Sequence, residues 1–253
     1  MTLRAALSLL TLLLLAGCVA GGAGDRLASE QGRGEAGRAY VQLALGYLQQ
    51  GLTEQAKPPL AKALALNSRD ADAHAALALV FQAQGEPALA DRHFRTALAQ
   101  RPDDTRIRNN YGSFLYAQGR FREAEVVFRL AAADTLYPQR SRVYESLGLT
   151  ALRQDRRDEA REHLHKALQL NPRQPKALLE MAELSYENRH YVPARDYYDR
   201  FSQLSDHDAR SLLVGSRLAR VFDEPATVAE LGQQLQRLYP GTPEYQQYLS
   251  EQR

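Results

Sequence analysis

One spacing of small and large apolar residues recurs along most of this chain at intervals of about 34 residues. The clearest pair of units begins at Leu77 and at Leu147 and ends at Pro102 and at Pro172. Within each unit the apolar residues recur at helical intervals in two segments separated by a short polar turn, which predicts two antiparallel amphipathic helices. One unit cannot bury its own apolar face, so the units are stable only as a stack. The spacing predicts an all-α fold.

Small residues occupy the same positions in five successive units, where they let paired helices approach closely. In the first helices they are Ala44, Ala78, Gly112, Gly148 and Ala182, and in the second helices Ala56, Ala90, Ala124, Ala160 and Ala194. A sixth, degenerate unit runs from about residue 211 to residue 240. These positions resemble the tetratricopeptide repeat (TPR) family. The resemblance implies a TPR solenoid of about six helix-turn-helix repeats, or about twelve helices, over residues 38–253.

The N-terminal segment has the organisation of a secretory signal. Arg4 precedes an apolar run that is too short to span a bilayer as a mature helix, and Leu15 to Cys18 follow it. These four residues resemble a bacterial lipobox, in which small residues admit a peptidase and the cysteine receives lipid, palmitate included. We therefore expect a signal peptide over residues 1–17 and a lipidated Cys18. Two or more acyl chains would hold the protein stably on a membrane.

Residues 18–37 are rich in glycine and poor in large apolar residues, which predicts a flexible tether. Gly32 to Gly37 match the G-x-G-x-x-G pattern of dinucleotide-binding loops. That chemistry requires a preceding strand that delivers the turn to a helix. A polar, glycine-rich stretch precedes the pattern here, so we expect no phosphate-binding loop.

Composition and motifs exclude several functions. The chain carries 32 Lys and Arg against 30 Asp and Glu, so it has no basic surplus for nucleic acid. Cys18 is the only cysteine, which excludes an internal disulfide and, once the thiol is acylated, a cysteine nucleophile. G-x-S-x-G, H-E-x-x-H and P-loop motifs are absent. We expect a protein that is not an enzyme, with no cofactor and no small-molecule substrate.

The histidines do not predict a metal site. His163 and His165 lie two residues apart, and on a helix that spacing points their side chains away from each other. His93 and His163 occupy the same place in their repeats, which predicts a solvent-facing position for both. We therefore expect no bound metal.

Three segments carry a narrower resemblance: residues 109–115, 136–138 and 144–149 resemble the type IV pilus biogenesis and stability lipoproteins, the PilW/PilF family. The interval between the third and fourth repeats is about two residues longer than the others, and the excess falls in residues 133–138. The resemblance implies a pilotin-like lipoprotein that binds the type IV pilus secretin and promotes its outer-membrane localisation and multimerisation. Val19, where lipoproteins retained in the inner membrane often carry Asp, favours an outer-membrane location facing the periplasm. The alternative is a TPR scaffold for another envelope complex, such as a peptidoglycan hydrolase adaptor or outer-membrane protein assembly.

The resemblance to TPR arrays also implies where a partner binds, because set positions of each first helix line a concave groove. Chaperone-binding TPR domains use lysine and asparagine to hold a carboxylate where Val41 and Leu45 stand here, so the N-terminal end of this groove is apolar. An exposed apolar strip marks a partner surface. The alternative is that the chain's own segment around Leu27 covers the strip. The candidate groove residues are Val41, Leu45, Leu48, Leu79, Asn109 and Tyr116.

Overall fold

The computed structural model of the chain describes residues 29–252, and these residues form thirteen α-helices and no strand. The predicted signal peptide and Cys18 lie outside the described residues. No helix in the described part is both long and apolar enough to cross a membrane. The predicted all-α fold is confirmed. The helices are α1 Glu30–Gln49, α2 Thr53–Leu66, α3 Ala71–Ala83, α4 Pro87–Gln100, α5 Thr105–Ala117, α6 Phe121–Ala132, α7 Arg140–Leu152, α8 Arg157–Leu170, α9 Pro175–Glu187, α10 Tyr191–Ser202, α11 Ala209–Val221, α12 Pro225–Leu238 and α13 Pro243–Ser250.

The helices belong to two units, which divide between Ile107 and Arg108, inside α5. In the first unit α1 packs on α2 and α3 packs on α4. In the second unit α7 packs on α8, α9 on α10 and α11 on α12. Helix α5 contacts α6 at Gly112 and Phe128. Each pair corresponds to one of the six predicted repeats.

The predicted small residues lie where paired helices meet. Every alanine at these positions has a relative exposure of 0%. A Cβ added at Gly112 would lie 2.6 Å from Cε1 of Phe128, and a Cβ added at Gly148 would lie 2.6 Å from Cγ of Leu164. Carbon atoms repel strongly at these distances. The two helices of repeat three therefore pack this closely only because a glycine lies where they cross. The same is true of the two helices of repeat four.

The turn inside each repeat has one backbone conformation, which six different residues adopt. The turn residue has a φ between 57° and 74°, and the next N–H donates to the carbonyl five residues earlier, as in a Schellman motif. Glycine takes this conformation without a steric penalty, whereas residues with a Cβ are strained there. The turn residues are Gly51, Gly85 and Gly119 in repeats one to three, and Asp155, Arg189 and Asp223 in repeats four to six.

Short polar loops join successive repeats. Asn67 and Asn171 end the second helices of repeats one and four, and the Oδ1 of each accepts a hydrogen bond of 3.0 Å from the N–H two residues later. The loop 133–139, between α6 and α7, is longer and contains the predicted excess. Asp134 Oδ1 accepts a 3.0 Å hydrogen bond from the N–H of Leu136, which fixes the loop backbone.

Helix α1 begins inside the segment that the sequence assigns to the tether. Ser29 caps the helix, because its Oγ accepts a 3.0 Å hydrogen bond from the N–H of Gly32. Gly37 is buried in this helix, and a Cβ added to it would lie 3.8 Å from Oδ2 of Asp70. Each glycine weakens a helix by about 0.5–1 kcal/mol relative to alanine. Packing of α1 against α2 and α3 offsets that cost, so residues 30–37 are part of the array.

Helix α13 follows the sixth repeat and was not predicted. Tyr245 and Tyr248 pack against the core between α11 and α12. Gly232 on α12 provides the space for the Tyr248 ring, which a Cβ at this position would overlap. Nη2 of Arg217 on α11 donates a 2.7 Å hydrogen bond to Oε1 of Glu251. The helix has only eight residues, too few to show a helical period in the sequence.

We expect Gly112→Ala to destabilise the protein, because the new methyl group would overlap the ring of Phe128. Overpacking of this kind costs about 1–3 kcal/mol, and coupling between neighbouring repeats should spread the damage. Urea unfolding followed by circular dichroism measures the effect. The exposed change Gln118→Ala should alter the unfolding free energy by less than about 0.5 kcal/mol. Equal values for the two variants would show that α5 and α6 do not pack as described.

We expect Gly46→Ala and Gly51→Ala to have opposite effects on the unfolding free energy. A Cβ at Gly46 or at Gly51 would meet no atom within 4 Å, so crowding affects neither. Gly46 lies inside α1, where alanine should raise stability by about 0.5–1 kcal/mol. Gly51 has a φ of 74°, where alanine should lower stability by about 1 kcal/mol. The same urea titration measures both, and two shifts of the same sign would contradict the assigned turn.

Candidate functional site

The candidate groove of the first unit presents three partly exposed leucines, which we name the apolar strip: Leu45, Leu48 and Leu79. Leu45 and Leu48 lie on α1, and Leu79 lies on α3, the helix against which α1 packs. Leu45 and Leu48 rest on the core of the first unit while keeping part of their surface in water. These two side chains are thus held in place by packing and are still accessible to a partner.

The structure places Val41 differently from the sequence interpretation. Val41 is 3% exposed and belongs to the core of the first unit, together with Ala44, Leu60 and Ala73. It therefore supports the strip from below and does not line a surface. The register position was identified correctly, but helical position alone does not show how deeply α1 sinks between α2 and α3.

Asn109 and Tyr116 lie on α5, in the second unit, and both are partly exposed. The Tyr116 ring meets Phe121 of α6 edge to face, with centroids 5.4 Å apart. The backbone carbonyl of Asn109 accepts a 3.0 Å hydrogen bond from Oγ of Ser113. Tyr116 thus combines a packing role inside its repeat with an accessible edge.

The first helices of repeats five and six are linked by a charged cluster. Arg210 on α11 donates to both carboxylate oxygens of Glu180 at 2.7 and 2.8 Å, and its Nε donates to Glu183 at 2.7 Å. The carboxylates raise the pKa of Arg210 well above its usual range. Burial raises the pKa of Glu183, and the hydrogen bonds from Arg210 oppose that rise. Both carboxylates are therefore already bound by an arginine of the same chain.

Glu145 on α7 is a partly buried carboxylate next to α9. Burial raises its pKa, while the charge of Lys176 and a hydrogen bond from the backbone N–H of Ala177 act in the opposite direction. Ala177 lies in the first turn of α9, whose N-cap residue Gln174 makes no side-chain capping bond. Glu145 thus accepts a hydrogen bond from a backbone N–H in the first turn of α9.

His93 and His163 do not face solvent, so that prediction was wrong. Nδ1 of His93 lies 2.9 Å from Nδ1 of His74, and the His93 ring stacks on Phe81 with centroids 5.3 Å apart. Burial, together with the charges of His74 and Arg92, lowers the pKa of His93. These contacts fill space between α3 and α4, which a flat ring can do as well as an apolar side chain.

His163 and His165 point in different directions, as the helical spacing predicts. His163 is partly buried beside Tyr144, with ring centroids 6.1 Å apart, whereas His165 is exposed and contacts Gln169. In the part of the chain that the structure describes, no three residues of the types His, Cys, Asp and Glu are grouped so as to hold a metal ion.

A charged cavity of about 780 Å³ lies at the turn of repeat three. Arg156 pairs with Glu125, and Arg120 pairs with Glu123 at 2.7 Å. Burial raises the pKa of Glu125, but hydrogen bonds from Arg156 and neighbouring residues outweigh this effect and lower it to about 2. The lining residues are Gly119, Arg120, Phe121, Arg122, Glu123, Glu125, Gln154 and Arg156.

Sequence reasoning missed a second exposed apolar surface, in repeat three. Val126 is 61% exposed, and Leu136, in the loop after α6, is 89% exposed. A comparison of equivalent positions between repeats would have revealed Val126, because the other repeats carry proline or a charged residue there.

Comparisons with known proteins agree with this architecture. Models of the tetratricopeptide repeat match residues 75–141 and 151–213. The type IV pilus assembly protein PilF of Pseudomonas aeruginosa PAO1 is 53% identical over 251 residues, which cover 99% of this chain and 100% of that protein. An uncharacterised protein of Haemophilus influenzae is 33% identical over 136 residues, which cover 54% of this chain and 76% of that protein.

Two solved structures match over most of the described residues. The structure of Pseudomonas aeruginosa PilF aligns with a TM-score of 0.86 and 55% identity, and covers 87% of this chain and 99% of that one. PilW, a widely conserved type IV pilus biogenesis factor, aligns with a TM-score of 0.72 and 27% identity, covering 84% and 98%. The predicted TPR fold and the predicted family resemblance are both confirmed. This chain belongs to the PilF family of type IV pilus assembly proteins, which are built from tetratricopeptide repeats.

Proposed function

We propose that this protein is a non-enzymatic outer-membrane lipoprotein that binds a subunit of the type IV pilus secretin. In this proposal it promotes delivery of the secretin to the outer membrane and its multimerisation there. The observation that carries the proposal is identity of 53% to a pilus assembly protein along nearly the whole chain. That relative is a pilus assembly protein, which supports a role in pilus biogenesis. The partly exposed leucines of the apolar strip support a binding surface in the first unit.

The apolar strip supports a binding role in the first unit. Leu45, Leu48 and Leu79 remain partly exposed although they lie on helices that pack on each other. A partner that covers them gains about 25 cal/mol for each Å² of apolar surface removed from water. The carboxylates of repeat five should contribute less to partner binding, because Glu180 and Glu183 already bind Arg210.

The anchor is the second part of the proposal. Cys18 would carry the lipid, and Val19 after it favours the outer membrane. A TPR array bound to that membrane would hold a secretin subunit where the pore assembles. The alternative, a scaffold for a peptidoglycan hydrolase or for outer-membrane protein assembly, would use the same anchor and groove, and the named relative favours the pilus.

We expect the combined change Leu45→Glu and Leu79→Glu to abolish secretin binding and to preserve the fold. Both positions are partly exposed, so the new carboxylates reach water in the free protein, whereas a docked partner would strip that water away at a high cost. The affinity for purified secretin subunits should fall at least about thirtyfold, or about 2 kcal/mol. Cells carrying the variant should contain secretin monomers and lack pili.

Leu43→Glu is the matched control for this experiment. Leu43 lies on the same helix and is 49% exposed, but two residues correspond to about 200° around a helix, so it faces away from Leu45. Normal secretin multimers with a folded double variant would place the binding surface elsewhere and favour coverage by the segment near Leu27. Normal pili with a defect in another envelope complex would favour the alternative scaffold.

We expect Cys18→Ser to remove the anchor, because the sulfur atom of Cys18 would carry the diacylglycerol. The variant should take up no labelled palmitate and should leave the outer-membrane fraction, as measured by labelling and by sucrose-gradient fractionation. Its fold should be unchanged, since helix α1 begins only at Glu30. Wild-type protein that takes up no palmitate and stays in the soluble periplasmic fraction would contradict the lipoprotein assignment.

A further inference from the structure

The outer face of the second helix in repeat three differs from the same face in the other repeats. Val126 and Leu130 lie four residues apart on α6, on one side of the helix, and are 61% and 49% exposed. Counted from the alanine shared by the second helices of repeats one to five, the equivalents of Val126 are Pro58, Arg92, Glu162 and Asp196. The equivalents of Leu130 are Lys62, Thr96, Lys166 and Arg200. Only repeat three therefore presents two large apolar side chains here.

The loop that follows α6 carries a third exposed apolar side chain. Leu136 is 89% exposed. Its backbone is held by Asp134, whose Oδ1 accepts the Leu136 N–H and whose carbonyl oxygen accepts the Tyr137 N–H. The leucine is thus displayed on an ordered loop. We name Val126, Leu130 and Leu136 the outer patch.

Two arginines, Arg122 and Arg153, lie near the N-terminal end of α6. Arg122 lies one turn before Val126 and also lines the charged cavity. Arg153 lies over the ring of Phe121 at 4.7 Å. Neither arginine pairs with a carboxylate in the described part of the chain, whereas the neighbouring arginines of the cavity do. Two arginines therefore lie near the start of α6, and two exposed apolar side chains lie in its second half.

The residues around the outer patch limit the kinds of molecule that can bind there. Three side chains are too few for a stable dimer, which needs about 800 Å² buried on each copy. A bilayer is disfavoured, because Glu123 and Arg129 on the same helix are more than half exposed and would be drawn out of water with the patch. A narrow apolar row next to unpaired arginines instead complements a helix that carries apolar residues at one end and carboxylates at the other.

We propose that the outer face of α6 docks an amphipathic helix of a partner protein, with its apolar residues on the outer patch and its acidic residues at Arg122 and Arg153. This surface is separate from the apolar strip, and the inference does not depend on secretin binding.

The test uses the full chain and a labelled 18-residue peptide. The peptide is a designed helix with leucines along one face and glutamates at one end; a matched peptide carries lysines in place of the glutamates. Fluorescence anisotropy should show saturable binding of the acidic peptide and at least about tenfold weaker binding of the lysine peptide. Arg122→Glu should reverse that preference.

The decisive variant is Val126→Glu with Leu130→Lys, which copies the pair that repeat four carries as Glu162 and Lys166. Because that pair is accommodated on an equivalent helix, the fold should be retained, which a thermal melt checks. Binding of the acidic peptide should weaken at least about tenfold. Arg92→Glu with Thr96→Lys makes the corresponding change in repeat two and should leave binding unaltered.

Four results would overturn the proposal. The acidic peptide fails to bind the wild-type chain, or binds the Val126→Glu, Leu130→Lys variant equally well. Flotation of the Cys18→Ser chain with phospholipid vesicles, lost on Leu136→Ser, would identify the patch as a lipid contact. A dimer in analytical ultracentrifugation that dissociates on Val126→Glu would identify the occupant as a second copy.

Discussion

In repeats three and four, the close contact between a glycine of the first helix and a large residue of the second helix is the interaction on which the hairpin depends. Phe128 occupies the space that a Cβ at Gly112 would take, and Leu164 does the same at Gly148. Van der Waals contact is favourable only within a narrow range of distance, so these pairs set how closely the two helices approach. The positions of the residues that flank each contact, and hence the surfaces that a repeat presents, follow from that approach.

Much of the fold is predictable because the contacts of a repeat protein are local and recur. Spacing alone located six hairpins, their turns and the longer loop 133–139. The start of α1 was not predictable, because Gly32 to Gly37 have the composition of a linker, and their helical state depends on packing against α2 and α3. Helix α13 was missed because eight residues carry no period, and its position depends on the fit of Tyr248 at Gly232.

The candidate site was less predictable than the fold, because a repeat register gives the direction of a side chain but not its depth. Val41 and Leu45 lie one helical turn apart on the same helix, yet Val41 is a core residue and Leu45 is partly exposed. The charge pattern was equally ambiguous. Nothing in the sequence around Glu183 shows that its carboxylate accepts a hydrogen bond from Arg210 of the next repeat. Contacts between residues about 30 positions apart decide such cases, and a spacing pattern within one repeat does not contain them.

The C-terminal helix determines where an array of this kind could have lengthened. All six turns share one hydrogen-bond pattern, so a duplicated repeat would fold into the same hairpin wherever it was inserted. After α12 the situation differs, because Tyr248 fills the place at Gly232 where a further hairpin would have to pack, and Arg217 already binds Glu251. A repeat added directly after α12 would therefore have to displace α13, whereas one inserted between earlier repeats would not.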